Sequence, residues 1–267
     1  MIKMIPKISI ITPTLNQAKF IESTIKSVQE QDYSNLEHII VDGGSTDGTL
    51  SILERYEGKI RWISEQDKGQ ADAVNKGFQM TTGEVIGWLN SDDLYLPGTV
   101  WKVARFFQNH PGVNWLYGGC RIIDEEGREI RKWITRYKNL LRRRFSYKKL
   151  LLENFISQPS VFFRRSVIDA VGLLDVNRFY VMDYEYWLRL ARKFPPSVMR
   201  EDLACFRMHG RCKSHLGFKR QFWEEYEVAK IYSHWKVITS IHWLNYWKIV
   251  TIYSLMSLAG SKKESIL

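Results

Sequence analysis

Two adjacent carboxylates, Asp92 and Asp93, end the polar turn Asn90-Ser91-Asp92-Asp93, which follows the apolar run at 84–89. Closely spaced carboxylates supply the oxygen ligands that Mg2+ and Mn2+ prefer. A cation held there would neutralise the charge that develops on a departing diphosphate. Taken alone, the pair is explained more simply as the N-cap of a following helix. Its chemistry therefore depends on the polar residues that accompany it.

Polar residues also follow the other strands predicted for the first hundred residues. Apolar runs alternate with segments of helical spacing, which predicts a parallel, doubly wound α/β sheet flanked by helices. Such sheets bind ligands beyond the carboxyl ends of their strands, and those ends carry Asn16, Asp42 and Asp67 besides the acidic turn. We therefore predict one polar rim. The predicted strands are 8–13, 37–41, 60–64 and 84–89, and the predicted helices are 17–31 and 70–80.

The second half of the chain is less regular. We predict one domain at 1–216, with a regular first half at 1–97 and a less regular second half at 98–216, and a C-terminal helical tail at 217–267. The further predicted elements are a helix at 98–109, strands at 114–118 and 120–124, a hairpin strand at 128–133, a strand at 160–164, helices from 165 and at 183–193, and two helices within 217–259.

Four motifs occur in a fixed order, and their combination is far more specific than any one of them. Together they resemble the family 2 glycosyltransferases of the GT-A fold, as found in bacterial polysaccharide biosynthesis. The resemblance implies a Rossmann-like, mostly parallel sheet and transfer of a sugar from a nucleotide-diphosphate donor. It also implies that 1–216 is the catalytic domain, with 1–97 as its nucleotide-binding half and 98–216 as its acceptor half. The motifs are Thr12-Pro13-Thr14-Leu15-Asn16, Val41-Asp42-Gly43-Gly44-Ser45-Thr46-Asp47-Gly48-Thr49, Asp67-Lys68-Gly69-Gln70-Ala71-Asp72-Ala73-Val74-Asn75-Lys76-Gly77 and Leu89-Asn90-Ser91-Asp92-Asp93.

The same resemblance implies roles for residues of the nucleotide pocket. Asp42 takes the place of the acid that hydrogen-bonds the donor's base, with Pro13 and Asn16 in the loop beneath it. Asp72 takes the place of the second acid of the pocket. Asn75 and Lys76 lie beside Asp72 and are assigned to nucleotide binding with it.

The acidic turn takes the place of the family's Asp-x-Asp motif. This implies that Asp92 is the main ligand of Mg2+ or Mn2+ and that Asp93 supports it. The first acid of the motif is Asn90 here, so Asn90 and Ser91 are assigned to the nucleotide and not to the metal. The segment around His209 resembles the family's late Arg-x-His segment, which implies a metal or diphosphate contact for His209.

A segment beginning at Met182 resembles the family's Glu-Asp motif and the Trp-Leu-Arg helix after it. Asp183 takes the place of the general base, while Met182 replaces the usual neighbouring acid. Glu185 is an alternative base, but on a helix it lies about 200° around from Asp183, so the two would not share a site. One base implies direct displacement with inversion at the anomeric carbon. An N-cap role for Asp183 at the helix 184–193 is compatible with catalysis.

Composition limits the partners. Three cysteines, odd in number and without metal-ligand spacing, favour a reducing cytoplasm. The segment Met1 to Lys7 has no apolar signal core, so we expect a cytoplasmic location, with the inner face of the cell membrane as a further possibility.

The formal net charge of +10 has no accompanying nucleic-acid motif, so we expect no nucleic-acid partner. Residues 241–258 suit an in-plane amphipathic helix, aided by the basic stretch 136–149, or else packing on the domain or in a homodimer.

The motifs also indicate which of several related activities to expect. A sugar-phosphate nucleotidyltransferase would need a glycine-rich, arginine-containing loop where Thr12 to Asn16 stands. A non-catalytic nucleotide-sugar-binding module stays open because of Asn90 and Met182. A processive synthase is disfavoured because the Gln-x-x-Arg-Trp signature is absent. We expect a non-processive, metal-dependent transferase acting on a glycan or lipid-linked acceptor.

Overall fold

The computed structural model describes residues 5–213 and 217–264, with side chains described as far as Thr251. The predicted domain ends at 216 and 267, and part of the segment Met1 to Lys7, lie outside the described residues. The first half alternates strands and helices as predicted. Its elements are β1 (Ile8–Thr14), α1 (Ile21–Gln29), β2 (Leu36–Asp42), α2 (Thr49–Glu54), β3 (Arg61–Ser64), α3 (Gln70–Met80) and β4 (Val85–Trp88).

The second half adds four strands and most of the helices among the described residues. A short 3-10 turn, Gln158–Ser160, precedes the seventh strand. The elements are β5 (Leu94–Tyr95), α4 (Thr99–Asn109), β6 (Trp115–Ile123), α5 (Lys132–Arg142), α6 (Tyr147–Leu152), β7 (Val161–Arg164), α7 (Ser166–Val171), α8 (Met182–Lys193), β8 (Ser197–Arg207), α9 (Phe218–Tyr232) and α10 (Lys236–Glu264).

All eight strands form one sheet in the order β3-β2-β1-β4-β7-β6-β8-β5. The pairs β3–β2, β2–β1 and β1–β4 are parallel, as is β6–β8, whereas β7 runs antiparallel to both β4 and β6. The α/β class and the mostly parallel sheet are thus as predicted. The antiparallel strand β7 divides the parallel strands β3, β2, β1 and β4 from β6, β8 and β5.

The core of the first half forms where α3 packs on β1. Every residue of β1 is buried, as its isoleucine-rich sequence predicts for a central parallel strand. At Gly77 of α3, an added Cβ would lie 2.4 Å from Cγ2 of Ile11. Glycine is therefore required for this helix to approach the strand closely. The motif that carries Asp72 is positioned by this contact.

Two sequence predictions need correction, and one strand was not predicted. The strands predicted at 114–118 and 120–124 are one strand, because Gly118 and Gly119 lie at a register shift within β6 and do not end it. The hairpin strand predicted at 128–133 does not form, since only Ile123 and Glu129 make an isolated bridge before α5 begins. Strand β8 went unpredicted, because Arg200, Glu201 and Asp202 interrupt its apolar pattern.

The tail is two helices, as predicted, and α9 belongs to the main core. Val228 and Ala229 are fully buried, and Glu225 is only 5% exposed. Helix α10 contacts α9 and α6, with Nδ1 of His242 hydrogen-bonded to the carbonyl of Leu151 at 2.7 Å. Within residues 5–213 and 217–264, no helix combines the length and apolarity needed to cross a membrane.

Candidate functional site

Asp42 ends β2 and organises the turn after it. Its side chain is fully buried. One carboxylate oxygen accepts hydrogen bonds from the backbone N–H of Gly44 (2.9 Å) and Ser45 (2.8 Å) and from the Ser64 hydroxyl (2.7 Å). The other oxygen accepts from the Ser45 hydroxyl at 2.5 Å. These bonds offset the desolvation of the carboxylate. Asp42 thereby shapes the rim, while its contact with a base stays a prediction.

Pro13 and Asn16 lie at and just beyond the end of β1. Pro13 is buried opposite Val41 in the β1–β2 pairing. Asn16 has a φ of 53°, a left-handed conformation that asparagine adopts more readily than most residues. Its Oδ1 accepts from the N–H of Thr46 at 2.8 Å, and its own N–H donates to the Ser45 hydroxyl at 2.7 Å. The loops after β1 and β2 are therefore fastened to each other.

Asp67, after β3, joins the same rim. Its Oδ1 accepts from the N–H of Gly69 at 2.8 Å. A Cβ added to Gly43 would lie 2.5 Å from Oδ2 of Asp67. Glycine at position 43 thus lets this carboxylate lie against the β2 turn. The sequence predicts Asp67 at a strand end and within the third motif, but it assigns this residue no role of its own.

Asp72 and Lys76 lie one turn apart on α3. Asp72 accepts a hydrogen bond from the N–H of Lys68 at 3.0 Å and lies 3.8 Å from Nζ of Lys76. Lys76 also pairs with Glu65 at 2.8 Å. The lysine is therefore held at the rim between two carboxylates. A phosphate that contacts Lys76 would therefore compete with these two carboxylates for its positive charge.

Asn75, predicted to bind nucleotide, uses its side chain inside the protein. Its amide nitrogen donates to the carbonyl of Leu174 at 3.0 Å, and its amide oxygen accepts from the N–H of Leu174 at 2.9 Å. Asn75 is only 7% exposed. Because both polar groups of the amide have partners, we assign Asn75 to holding the loop between α7 and α8.

Asp92 pairs with His209 across 117 positions of the chain. The two side chains, 16% and 3% exposed, bring Oδ2 and Nε2 within 2.9 Å. Nδ1 of His209 accepts a hydrogen bond from the backbone N–H of Arg211 at 3.3 Å, which orients the ring towards Asp92. The ring packs on Phe20 with a centroid separation of 4.7 Å. The structure thus joins the two predicted metal ligands.

Asp93 points into the protein. It is fully buried, and its carboxylate accepts from the N–H of Arg207 at 2.9 Å and from the amide of Asn90 at 3.3 Å. Burial raises the pKa of Asp93 well above its usual range, and the charge of Asp92 adds to this. Arg207 in turn donates to the carbonyl of Asp92 at 2.9 Å. We therefore assign Asp93 and Arg207 to holding the turn that presents Asp92.

Asn90 is the centre of a local amide network. Its oxygen accepts from Gln70 (2.7 Å) and from the indole of Trp88 (2.9 Å), and its nitrogen donates to Gln158 at 3.0 Å. Ser91 is buried, and its carbonyl accepts from a threonine hydroxyl of α1 at 2.9 Å. Asn90 thus links α3, β4 and the 3-10 turn, which fits a positioning role more closely than metal ligation.

Asp183 lies in the first turn of α8. Its Oδ1 accepts from the N–H of Tyr184 at 2.8 Å. Burial raises the pKa of Asp183 to about 6, a value that suits a base working near neutral pH. Glu185 is occupied elsewhere, since its carboxylate makes two bonds to Arg189, at 2.9 and 2.7 Å, and accepts the hydroxyl of Tyr232. The alternative base is therefore unavailable.

Lys213 lies between α3 and α8, where it lines one pocket with Gln70 and Met182, and no motif marked it. Its Nζ donates to the carbonyl of Phe179 at 3.4 Å and lies 4.1 Å above that ring. Among the described residues it has no ion pair within 4 Å. Burial lowers the pKa of Lys213, and four carboxylates act in the opposite direction. These carboxylates are Asp67, Glu224, Asp183 and Asp92.

Two acids of α9 also approach the segment before α8. The carboxylate of Glu224 accepts from the N–H of Phe179 at 3.0 Å and of Tyr180 at 2.8 Å. Glu225 is buried, and burial raises its pKa to about 8. The tail, which resembled no known motif, therefore holds the approach to Asp183. No local sequence pattern could have shown this, because the contacts span more than forty residues.

The chain matches a known protein family over a region that contains all four motifs. The family described as "Glycosyl transferase family 2" matches residues 9–172. An uncharacterised glycosyltransferase of Rickettsia typhi is 26% identical over 266 residues, which cover 97% of this chain and 77% of that protein.

Two solved structures share the fold. Staphylococcus aureus TarS 1–349 with UDP-GlcNAc has a TM-score of 0.68 at 19% identity, covering 85% of this chain and 66% of that one. The chain spans 39% of a longer TarS structure. The Pyrobaculum calidifontis mannosyltransferase PcManGT with GDP-Man and Mn2+ has a TM-score of 0.68 at 18% identity, covering 97% and 76%. The predicted GT-A fold is confirmed, and the chain belongs to glycosyl transferase family 2.

Proposed function

We propose that this protein is an inverting, metal-dependent, non-processive glycosyltransferase with Asp183 as its base. The acceptor hydroxyl attacks the anomeric carbon of a nucleotide-diphosphate sugar. Its proton passes to the carboxylate of Asp183 as the new C–O bond forms. The bond from the anomeric carbon to the phosphate oxygen breaks on the opposite face, and its electron pair leaves with the nucleoside diphosphate. One displacement of this kind inverts the anomeric centre.

The observation that carries the proposal is the position of Lys213. Lys213 lines one pocket together with Gln70 of α3 and with Met182, the neighbour of Asp183. Burial lowers the pKa of Lys213, and the charges of Asp183 and Asp92 raise it. A donor diphosphate at the turn and an acceptor hydroxyl at Asp183 would therefore meet beside a cation that lacks an ion-pair partner among the described residues. Such a cation would stabilise the charge that develops on the leaving diphosphate.

Asp92 and His209 fit a divalent metal. In the described part of the chain no three His, Cys, Asp or Glu side chains gather as a metal-binding group. Two adjacent ligands still suit Mg2+ or Mn2+, because these ions keep positions for substrate phosphates. When bound, the ion would supply positive charge to the diphosphate. The family relationship and the Mn2+ bound to PcManGT support this role.

The nucleotide would lie along the rim formed by the loops after β1, β2 and β3. We propose that Asp42 and Asp72 contact its nucleoside, with Pro13 and Asn16 beneath the base. Lys76 lies beside Asp72, with Asn90 and Ser91 at the diphosphate end. The donor complexes of TarS and PcManGT support a nucleotide sugar as donor. We propose a glycan or lipid-linked hydroxyl as the acceptor.

A nucleotide-binding experiment tests the metal centre. UDP, GDP and dTDP are titrated with and without Mn2+, and the unfolding temperature is followed, since a bound ligand stabilises the folded state by mass action. Asp92→Ala should abolish the Mn2+-dependent part of the stabilisation. Glu54→Gln, which removes an exposed carboxylate from α2, is the matched control. Undiminished Mn2+ dependence in Asp92→Ala would exclude Asp92 as ligand, and binding without any donor hydrolysis or transfer would favour a non-catalytic module.

A further inference from the structure

Positive charge in this protein is concentrated in one segment. The chain has 39 Lys and Arg against 29 Asp and Glu, a formal surplus of +10. Residues 131–152 contain nine Lys and Arg and no Asp or Glu, so this segment accounts for nearly the whole surplus. It comprises α5, α6 and their connection. We name its solvent-facing side the α5 face.

Most of these cations are free to meet a partner. Arg142 is buried and bonded to carbonyls of β8. Of the other eight, none makes an ion pair within 4 Å among the described residues. The exposed members are Lys132, Arg136, Arg143, Arg144 and Lys148. The α5 face therefore carries positive charge that the protein itself does not neutralise.

Apolar side chains project from the same face. Trp133, Tyr137 and Leu140 are 60%, 45% and 61% exposed. Their spacing of four and three residues places them in one stripe along α5. Exposed aromatic and aliphatic side chains among cations are typical of segments that lie in a membrane interface.

Helix α10 extends this surface. Nζ of Lys148 lies 5.1 Å over the ring of Trp235, which is 47% exposed. This contact joins the start of α10 to the α5 face. Val237, Ile241 and Leu244 then continue with the same four-and-three spacing and are 70%, 41% and 67% exposed.

The segment that forms the α5 face also packs on the helix that carries Asp183. The hydroxyl of Tyr184, the neighbour of Asp183, donates to the carbonyl of Leu150 in α6 at 2.9 Å. Burial raises the pKa of Asp183, and the charge of Lys138 on α5 lowers it. A surface bound at α5 would thus lie beside the site where the acceptor hydroxyl is deprotonated.

We propose that the α5 face, with the start of α10, binds the surface of an anionic lipid bilayer and presents the site to an acceptor held in that bilayer. The acceptor part rests on the proposed function. A second copy of the chain is disfavoured because two α5 faces would repel each other. Nucleic acid is disfavoured because it offers no apolar place for Leu140, Val237 and Leu244.

Vesicle sedimentation of the full chain tests the surface directly. The protein should sediment with phosphatidylglycerol-containing vesicles and remain in solution with phosphatidylcholine alone. Arg136→Gln/Arg143→Gln/Arg144→Gln should lower the partition coefficient about 100-fold, since each cation near an anionic surface contributes roughly fivefold. Lys59→Gln/Lys102→Gln/Arg105→Gln removes three exposed cations from other elements and should change binding much less. Trp133→Ser/Leu140→Ser should weaken binding at unchanged charge.

Several results would overturn the proposal: equal binding to both vesicle types, no binding to either, equal losses in both charge triples, or preferential capture of a single-stranded RNA added as competitor. Mn2+-dependent donor hydrolysis distinguishes failure of the proposed membrane surface from failure of the proposed function. The α5 triple should hydrolyse donor as the unmodified protein does, whereas a protein without any hydrolysis would contradict the function and leave the sedimentation result to decide the surface. Should the triple fail to fold, the Trp133→Ser/Leu140→Ser variant carries the same test.

Discussion

The polar rim and the segment that carries Asp183 are built in different ways. Asp42 is bonded mainly by Gly44 and Ser45, two and three residues away. The segment before Asp183 is instead held by Glu224, which lies 44 and 45 residues away. A local motif is enough to shape the first region, whereas the second depends on a helix that the motifs do not include.

The contrast extends to burial. The rim places its carboxylates at strand ends, where the loop's own N–H groups bond them. Around α8, burial dominates, and it raises the pKa of Asp183 and of Glu225 together. In the acidic turn, burial likewise raises the pKa of Asp93, so buried carboxyl groups occur on both sides of the site. Variants of the rim should therefore lower donor affinity, whereas variants around Asp183 should lower the rate of transfer.

The largest effect is expected for Asp183→Asn. The amide keeps the shape of the side chain but accepts no proton, so transfer should fall by about 10²–10⁴-fold. Donor affinity should be unchanged, because the rim is untouched. Single-turnover transfer and nucleotide titration measure the two quantities. A variant that transfers at the normal rate would place the base elsewhere.

Glu224→Ala should have the next largest effect. Without this carboxylate, the N–H groups of Phe179 and Tyr180 lose their acceptor, and the segment before Asp183 is no longer held in place. We therefore expect kcat to fall roughly tenfold, equivalent to about 1.4 kcal/mol in the barrier. The donor KM should stay the same. Glu224→Gln, which keeps an acceptor oxygen, should restore much of the rate. Glu227→Ala, an exposed acid of the same helix, is the control, and an equal loss there would mean that α9 acts only through stability.

The rate of transfer should depend on pH through Asp183. Its pKa is raised to about 6, so the carboxylate form is lost as pH falls through 6. Below that value kcat/KM should drop about tenfold per pH unit. Lys138 and Lys213 favour the charged form, whereas Glu224 and Glu225 oppose it. Glu224→Gln should therefore move the profile to lower pH, and an unmoved profile would separate Glu224 from the base.

Glu225 should affect stability more than rate. Its pKa is about 8 in the folded protein against an ordinary 4.5, so the folded state holds a proton that the unfolded state releases. The free energy of unfolding should therefore fall as pH rises from 4.5 to 8, by up to about 1.4 kcal/mol per pH unit. Glu225→Gln cannot ionise and should lose this dependence. Denaturant unfolding at several pH values checks it, and parallel curves for both proteins would contradict it.

Much of the fold could be predicted because the spacing of apolar residues along the chain indicates which residues of each element are buried. The apolar runs of β1, β2 and β4 and the helical spacing of α3 set these elements nearly to the residue. Strand β8 was lost because three charged residues interrupt its pattern. The glycine pair of β6 was mistaken for a break between strands, because glycine marks both bends and ends.

The sequence by itself determined the polar rim, the order of the motifs and the family, since each rests on residues that are neighbours in the chain. Only the tertiary structure decided that Asp92 faces His209, that Asp93 turns inward to the N–H of Arg207, and that Asn75 holds Leu174. These pairs span 99 to 117 positions. Which carboxylate meets solvent and which meets a backbone N–H depends on how the elements pack, and no local pattern encodes that packing.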